Sequence, residues 1–159
     1  ASNHTVELST VNVEDVAIDA LNRMIGAAQQ KKIIIENTVA PLSALANREY
    51  LTDTLVILLD NAIKFSPAKT TIRLQSAERG DKVLLQVVDR GIGMSRDDQA
   101  KIFDRFYQAD TSRNSTSAAG YGLGLSIAQR LTQQQNGKLT VQSESGKGST
   151  FIVSLRKSS

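Results

Sequence analysis

The chain has no cysteine and no tryptophan, only two prolines and a single histidine, His4, in 159 residues. Without cysteine the fold uses neither disulfides nor thiolate metal ligands, and a reducing compartment is permitted. Aromatic residues make up only 4%, so the core must be built from Leu, Ile, Val and Ala, which suits a protein that mixes helices and strands. No apolar run approaches the roughly 20 residues that span a bilayer, and the N-terminus lacks a signal peptide's charged and apolar regions. The chain is therefore expected to be soluble, with no membrane contact of its own. The formal charge of +3 comes without a basic run or an RNA-binding motif, so nucleic acid is not expected as a partner.

What is present is ordinary for a folded domain: 40% apolar and 22% charged residues exclude a disordered or fibrous chain, and the length suits one compact unit, 1–159. Residues 1–4 read as a ragged or non-native start, and the alternation in Thr5-Val6-Glu7-Leu8 suggests a short edge strand. Val16, Ala17, Ala20, Leu21, Met24 and Ile25 recur at helical spacing within Val13 to Ala28. Ile33 to Ile35 reads as a strand. Asn47 is a plausible N-cap for a second helix reaching Phe65, with Leu51, Leu55, Leu58, Leu59, Ala62 and Ile63 on one broad face. Thr71 to Ala77 and Val83 to Val88 form a hairpin-like pair of strands. Short helical pieces and a polar stretch, Asp110 to Ala119, follow between Gly91 and Gly120, and the polar stretch reads as a mobile loop. A helix from about Leu123 to Gln135, strands Lys138 to Glu144 and Thr150 to Leu155, and a Gly146-Lys147-Gly148 turn complete the chain, with Gln133 to Gln135 as a polar tract. The pattern predicts a mixed sheet with helices on one face and no βαβ repeat.

Three groups of residues carry chemistry. Asp89-Arg90-Gly91-Ile92-Gly93-Met94 sits where a strand ends: the carboxylate can accept from an exocyclic amine, and the glycines leave room for a flat ring. The plain alternative is an Asp-x-Gly turn that merely closes the strand. Gly120-Tyr121-Gly122-Leu123-Gly124-Leu125 leads into a helix whose free N–H groups suit phosphate, but it follows a loop rather than a strand, which argues against a dinucleotide fingerprint. Asn61, Lys64 and Phe65 project from neighbouring turns of the long helix, bringing a side-chain oxygen beside an ammonium. A hydrogen-bonded core Asn and a solvated Lys are the alternatives there.

In order and spacing these segments resemble the histidine kinases, within the superfamily that also holds gyrase, heat-shock chaperone and mismatch-repair ATPases. Leu59 to Ser66 looks like the family's N box, Asp89 to Gly93 like its G1 box and Phe103-Asp104-Arg105-Phe106-Tyr107 like its F box. Gly120 to Leu125 looks like its G2 box, and Gly146 to Thr150 like the turn before its last strand. The resemblance implies the Bergerat fold: an α+β, two-layer sandwich of a mostly antiparallel five-stranded sheet, three main helices on one face and a mobile ATP lid at about 104–119. It implies ATP and Mg2+ as ligands. Asn61 would coordinate the metal, Lys64 would reach the phosphates and Asp89 would hold the adenine amine, with Thr150 supporting Asp89 through water. Gly122, Leu123 and Gly124 would offer N–H groups to phosphate, and Arg105 and Arg113 would supply phosphate-facing cations from the lid. Phe65, Gly91, Gly93, Met94, Tyr107 and Gly120 would border the nucleotide.

The resemblance also implies what the domain works with. The phosphoacceptor is expected to be a histidine on a separate dimerisation domain, and a response regulator follows through the phosphohistidine. No acceptor sequence occurs within these residues, and His4 is assigned no catalytic role. The fragment is expected to be a monomer, the cytoplasmic part of a membrane-anchored bacterial sensor. One departure matters: where the family often has Asn, and related ATPases have a water-activating Glu, this chain has Ile57. An aliphatic group cannot act as general base, which argues against hydrolytic turnover and leaves a non-catalytic, nucleotide-responsive module as the second reading.

Overall fold

A computed structural model of the chain describes residues 6–105 and 121–158. The first strand, β1 (Ser9–Asn12), runs directly into α1 (Val13–Gln30). The strand expected at Thr5 to Leu8 lies further along: Val6 to Leu8 are outside any strand, and Thr5 is outside the described residues. What β1 pairs with is β3 (Ser43–Ala46), antiparallel, with Val11 opposite Ala44. An Ala-rich segment of that length has weak β-propensity and is held by its pairing, which a linear pattern does not display. Asn12 caps α1, its side chain accepting from Glu14 N at 3.0 Å, and Glu14 and Asp15 place acids at the positive end of the helix dipole. The buried stripe Val13, Val16, Ala17 and Ala20 is small, which lets α1 lie against α2 (Arg48–Phe65).

Helix α2 starts at the expected cap, with Asn47 Oδ1 accepting from Tyr50 N at 3.0 Å. Leu51, Leu55, Leu58, Leu59 and Ala62 are fully buried. Each leucine contributes on the order of 2 kcal/mol, more than the differences in helix propensity along the segment, so packing holds this helix in place. It stops at Phe65 because Ser66 is extended, φ −93° and ψ 141°, the conformation that a following proline, here Pro67, favours.

The main sheet contains β2 (Ile34–Asn37), β4 (Thr71–Arg79), β5 (Lys82–Val88), β6 (Lys138–Glu144) and β7 (Gly148–Arg156), in the order β2-β4-β5-β7-β6. Only β2 and β4 are parallel, joined by a crossover through β3 and α2; the other pairs are antiparallel. This is the mixed, mostly antiparallel sheet that was expected, with α1, α2 and α4 (Tyr121–Gln134) layered on it. Strand alternation sorts the faces. Ile72, Leu74, Val83, Leu85, Val87, Phe151, Val153 and Leu155 are buried against the helices. On the other face Gln75 donates to Gln86 at 2.6 Å. Apart from Leu84, the buried apolar residues form one cluster, and Phe103, just after α3 (Arg96–Lys101), meets Phe151 edge-on with ring centroids 6.2 Å apart.

The tract Gln133 to Gln135 is not a solvated run. Gln135 is buried, its Oε1 accepting from Asn47 N at 3.1 Å and its Nε2 donating to Leu131 O at 3.0 Å, so it joins the end of α4 to the start of α2. Residues 1–4 and, apart from Asp104 and Arg105, the expected lid at 104–119 lie outside the described residues. No helix among those described is long and apolar enough to cross a membrane.

Candidate functional site

The end of β5 delivers Asp89 into the interior, where it is only 5% exposed. Strand pairing continues there for one step, with Asp89 N donating to Ser149 O at 2.9 Å. The carboxylate is used asymmetrically. Oδ1 accepts from both Gly91 N at 2.8 Å and Ser149 N at 3.2 Å, while Oδ2 takes no hydrogen bond from the described residues. Burial raises the pKa of this carboxyl above the ordinary carboxylate value, and the N–H groups of Gly91 and Ser149 pull it part of the way back. A buried acceptor with one oxygen fixed by the backbone and the other free is arranged to receive a donor from a ligand.

The glycines around Asp89 are required by close approach. A Cβ on Gly91 would stand 2.4 Å from Phe65 O, so the loop lies directly against the end of α2. At Gly93, where φ is +67°, a Cβ would stand 2.0 Å from Glu144 O. Gly148, φ +95°, presses on Asp89 O at 2.2 Å by the same measure, and Gly146 N donates to Ile92 O at 2.7 Å. The Gly146 to Gly148 turn therefore packs into the Asp89 to Gly93 loop, a contact that the sequence does not indicate. Met94 is fixed beside it, its N donating to Ser143 Oγ at 2.8 Å, and Gln99 Nε2 ties Met94 O and Ser143 O together at 3.1 and 2.8 Å.

On α2, Asn61 is 8% exposed, and its amide has no hydrogen-bond partner among the described residues, so the core-Asn alternative does not describe it. Lys64 Nζ lies 2.9 Å from Asp60 Oδ2 on the same helix surface. One turn before Asn61, Ile57 packs against the core, and its Cγ2 stands 3.6 Å from where a Cβ on Gly124 would be. This contact brings the start of α4 beside the Asn61 region. Gly122, Leu123 and Gly124 fall in the first turn of α4, where backbone N–H groups have no intrahelical acceptor.

The structure thus brings Asp89, Gly91, Gly93, Met94 and the end of α2 with Phe65 into one region. Arg105 is exposed at the end of the described segment after α3; Tyr107, Arg113 and Gly120 lie outside the described residues. Thr150 pairs with Val88 and Gln142 in the sheet, which puts its side chain on the face away from the helices. The direct bond from this strand to Asp89 comes from the backbone N–H of Ser149. Ser149, Ser143 and Gln99 were not singled out by the sequence; Ser149 acts on Asp89 through its backbone N–H, which no residue pattern marks.

Asp89 buried at a strand end, Asn61 unpaired on the neighbouring helix and the start of α4 packed beside Ile57 together make a candidate nucleotide site. Consistent with this, the family profile described as "Histidine kinase-, DNA gyrase B-, and HSP90-like ATPase" matches residues 46–159, and the chain belongs to that family. The curated proteins that it matches include sensor kinases. The chain is 35% identical over 151 residues to the sensor-like histidine kinase SenX3 of Mycolicibacterium smegmatis, covering 94% of this chain and 39% of that protein. It is 40% identical over 113 residues to the signal transduction histidine-protein kinase ArlS of Staphylococcus haemolyticus, covering 71% of this chain and 25% of that protein. The chain therefore spans well under half the length of these curated relatives. Among solved structures, full-length ShkA in complex with AMPPNP superimposes with a TM-score of 0.85 at 29% identity, over 100% of this chain and 33% of that one. The catalytic domain of the histidine kinase ThkA matches in fold, with a TM-score of 0.80 at 23% identity, over 96% of this chain and 97% of that one.

Proposed function

We propose that residues 1–159 are the catalytic domain of a two-component sensor kinase, binding Mg-ATP and presenting the γ-phosphate to a histidine on a separate dimerisation domain. The observation that carries this reading is Asp89: buried, with Oδ1 held by two backbone N–H groups and Oδ2 open to accept the adenine amine. AMPPNP in the ShkA structure and the names of the relatives support the same ligand class.

The residues present fit Mg2+. Among the described residues no group of three His, Cys, Asp or Glu side chains could hold a metal, so these residues offer no closed cage, and the donor they place at the site is the amide oxygen of Asn61. That donor suits a hard cation that keeps several waters and takes its other ligands from phosphate oxygens. When bound, Mg2+ would neutralise charge on the phosphates. The chain's own residues position the nucleotide: Asp89 fixes the ring, Asn61 orients the metal end, and Lys64 turns from Asp60 toward the phosphates. N–H groups at the start of α4 receive a phosphate, with Arg105 and Arg113 as cations from the lid. Transfer then breaks the bond between the γ-phosphorus and the β,γ-bridging oxygen and forms one from phosphorus to an imidazole nitrogen. The imidazole proton goes to a base on the acceptor domain, and a response regulator takes the phosphoryl group next. This assignment places the domain on the cytoplasmic side of a membrane-anchored sensor, monomeric by itself.

Ile57, packed between the core and Gly124, supplies no base and favours, as a second reading, a module that only responds to nucleotide. Mixing the chain with its acceptor domain and γ-labelled ATP separates the two. Acid-labile, base-stable label on the acceptor is the expected result, and tight nucleotide binding with no transferred label would select the module.

A further inference from the structure

Helices end with carbonyls that have no partner of their own, and the fate of those at the end of α2 is informative. Ala62 O is taken by Ser66 N at 3.0 Å. Ile63 O and Lys64 O are both taken by one side chain from another helix: Lys31 Nζ donates to them at 2.9 and 2.8 Å. Lys31 stands at the C-terminal cap of α1, and the chain on either side of this contact is stitched in the same way. Lys69 N donates to Lys32 O at 2.9 Å, and Ile34 N donates to Thr70 O at 3.1 Å. The next carbonyl, Phe65 O, lies against Gly91, where a Cβ would be 2.4 Å away. The last turn of α2 is therefore gripped by Lys31 on one side and seated on the Asp89 to Gly93 loop on the other.

That turn carries Lys64, and Asn61 sits just before it. A cation donating to last-turn carbonyls also complements the negative end of the helix dipole. We infer that Lys31 is a positioning residue for the metal and phosphate end of the site: it fixes the register of the last turn of α2 so that Asn61 and Lys64 face the phosphates. Lys31 reaches the nucleotide only through α2. Partial burial lowers its pKa by desolvating the ammonium. Asp89, which recognises the opposite end of the ligand, takes its own bonds from Gly91 N and Ser149 N rather than from Lys31, so loss of the Lys31 bonds is read first at the metal and phosphate end.

This inference rests on the nucleotide site proposed above, and the test keeps the two apart. AMPPNP is titrated into the chain, once with EDTA and once with excess Mg2+, for the wild type, Lys31→Met and Lys31→Arg, at a temperature where circular dichroism shows each one folded. Lys31→Met keeps the aliphatic stem and removes the donor; Lys31→Gln, which retains one donor, serves if the Met variant does not fold. The expected result is unchanged affinity in EDTA and a loss of about tenfold in the Mg2+-dependent gain, the scale of two charge-assisted bonds only partly transmitted through a helix turn. Lys31→Arg should restore the gain. An undiminished Mg2+ gain in the Met variant, or equal weakening with and without Mg2+, overturns the positioning role. Absence of binding by the wild type overturns the site itself, and the inference with it.

Discussion

Replacing Asp89 with Asn is expected to weaken nucleotide binding by about 100-fold while leaving the fold intact. The asymmetry of the carboxylate explains both halves of this result. Asn can keep its oxygen where Oδ1 accepts from Gly91 N and Ser149 N, so the loop retains its anchor. Its NH2 then replaces Oδ2 and presents a donor to the donor of the adenine amine. Burial penalises the charged form of Asp89, so its folded pKa is raised above the unfolded value. A raised carboxyl pKa gives stability that is fully present below the unfolded pKa and is lost as pH rises through the folded pKa. At neutral pH the ionised group therefore costs stability that Asn does not. Thermal unfolding should give Asp89→Asn a Tm at or above the wild type at pH 7, with the difference shrinking as pH falls into the carboxyl range. A variant that unfolds at pH 7, or that binds nucleotide as well as the wild type, would contradict the assigned role.

Gly93→Ala is expected to be the most destabilising single-methyl change in the site, at about 3 kcal/mol or on the order of 10 °C in Tm. The new Cβ would meet Glu144 O at 2.0 Å and Gly148 N at 3.2 Å, and φ is +67°. These are backbone atoms of the β6–β7 turn, so nothing flexible can move aside, and the loop carrying Asp89 has to shift. Two other glycines calibrate the effect. Gly80 has φ +60° with nothing near its Cβ position, so Gly80→Ala should show the conformational cost alone, about 1 kcal/mol. Gly26 lies within α1 in open space, and Gly26→Ala should stabilise by about 0.5–1 kcal/mol. Denaturant unfolding of the three variants checks the order. Equal losses at Gly80 and Gly93 would mean that the two loops are not packed together as described.

How much of this was legible in the sequence depended on the kind of interaction. The long helices were legible because caps and apolar faces are local: Asn47 and the leucines of α2 state the start of the helix and its buried side. The hairpin from β4 to β5 was legible for the same reason. The strand β3 was not, since Ser43 to Ala46 is a strand only because β1 lies beside it. Asp89 and its glycines could be picked out by type and spacing, but the asymmetry of the carboxylate could not, because Ser149 arrives from a strand 60 residues away. The bond from Ser149 comes from its backbone N–H, a group that every residue but proline carries, so residue type gave no sign of it. Lys31 and Gln135 read as ordinary polar residues at helix ends, and their roles arise from contacts with α2 that no local pattern encodes.

The central claim is that this fold holds Mg-ATP through Asp89 and Asn61, and calorimetric titration of the chain with AMPPNP in excess Mg2+ tests it most directly. The account predicts saturable binding at one site per chain, with a dissociation constant below about 1 mM, weakened by Asp89→Asn and reduced toward the metal-free affinity by Asn61→Ala. A folded sample that shows no saturation at several-fold higher nucleotide, or binding that neither substitution changes, would contradict it.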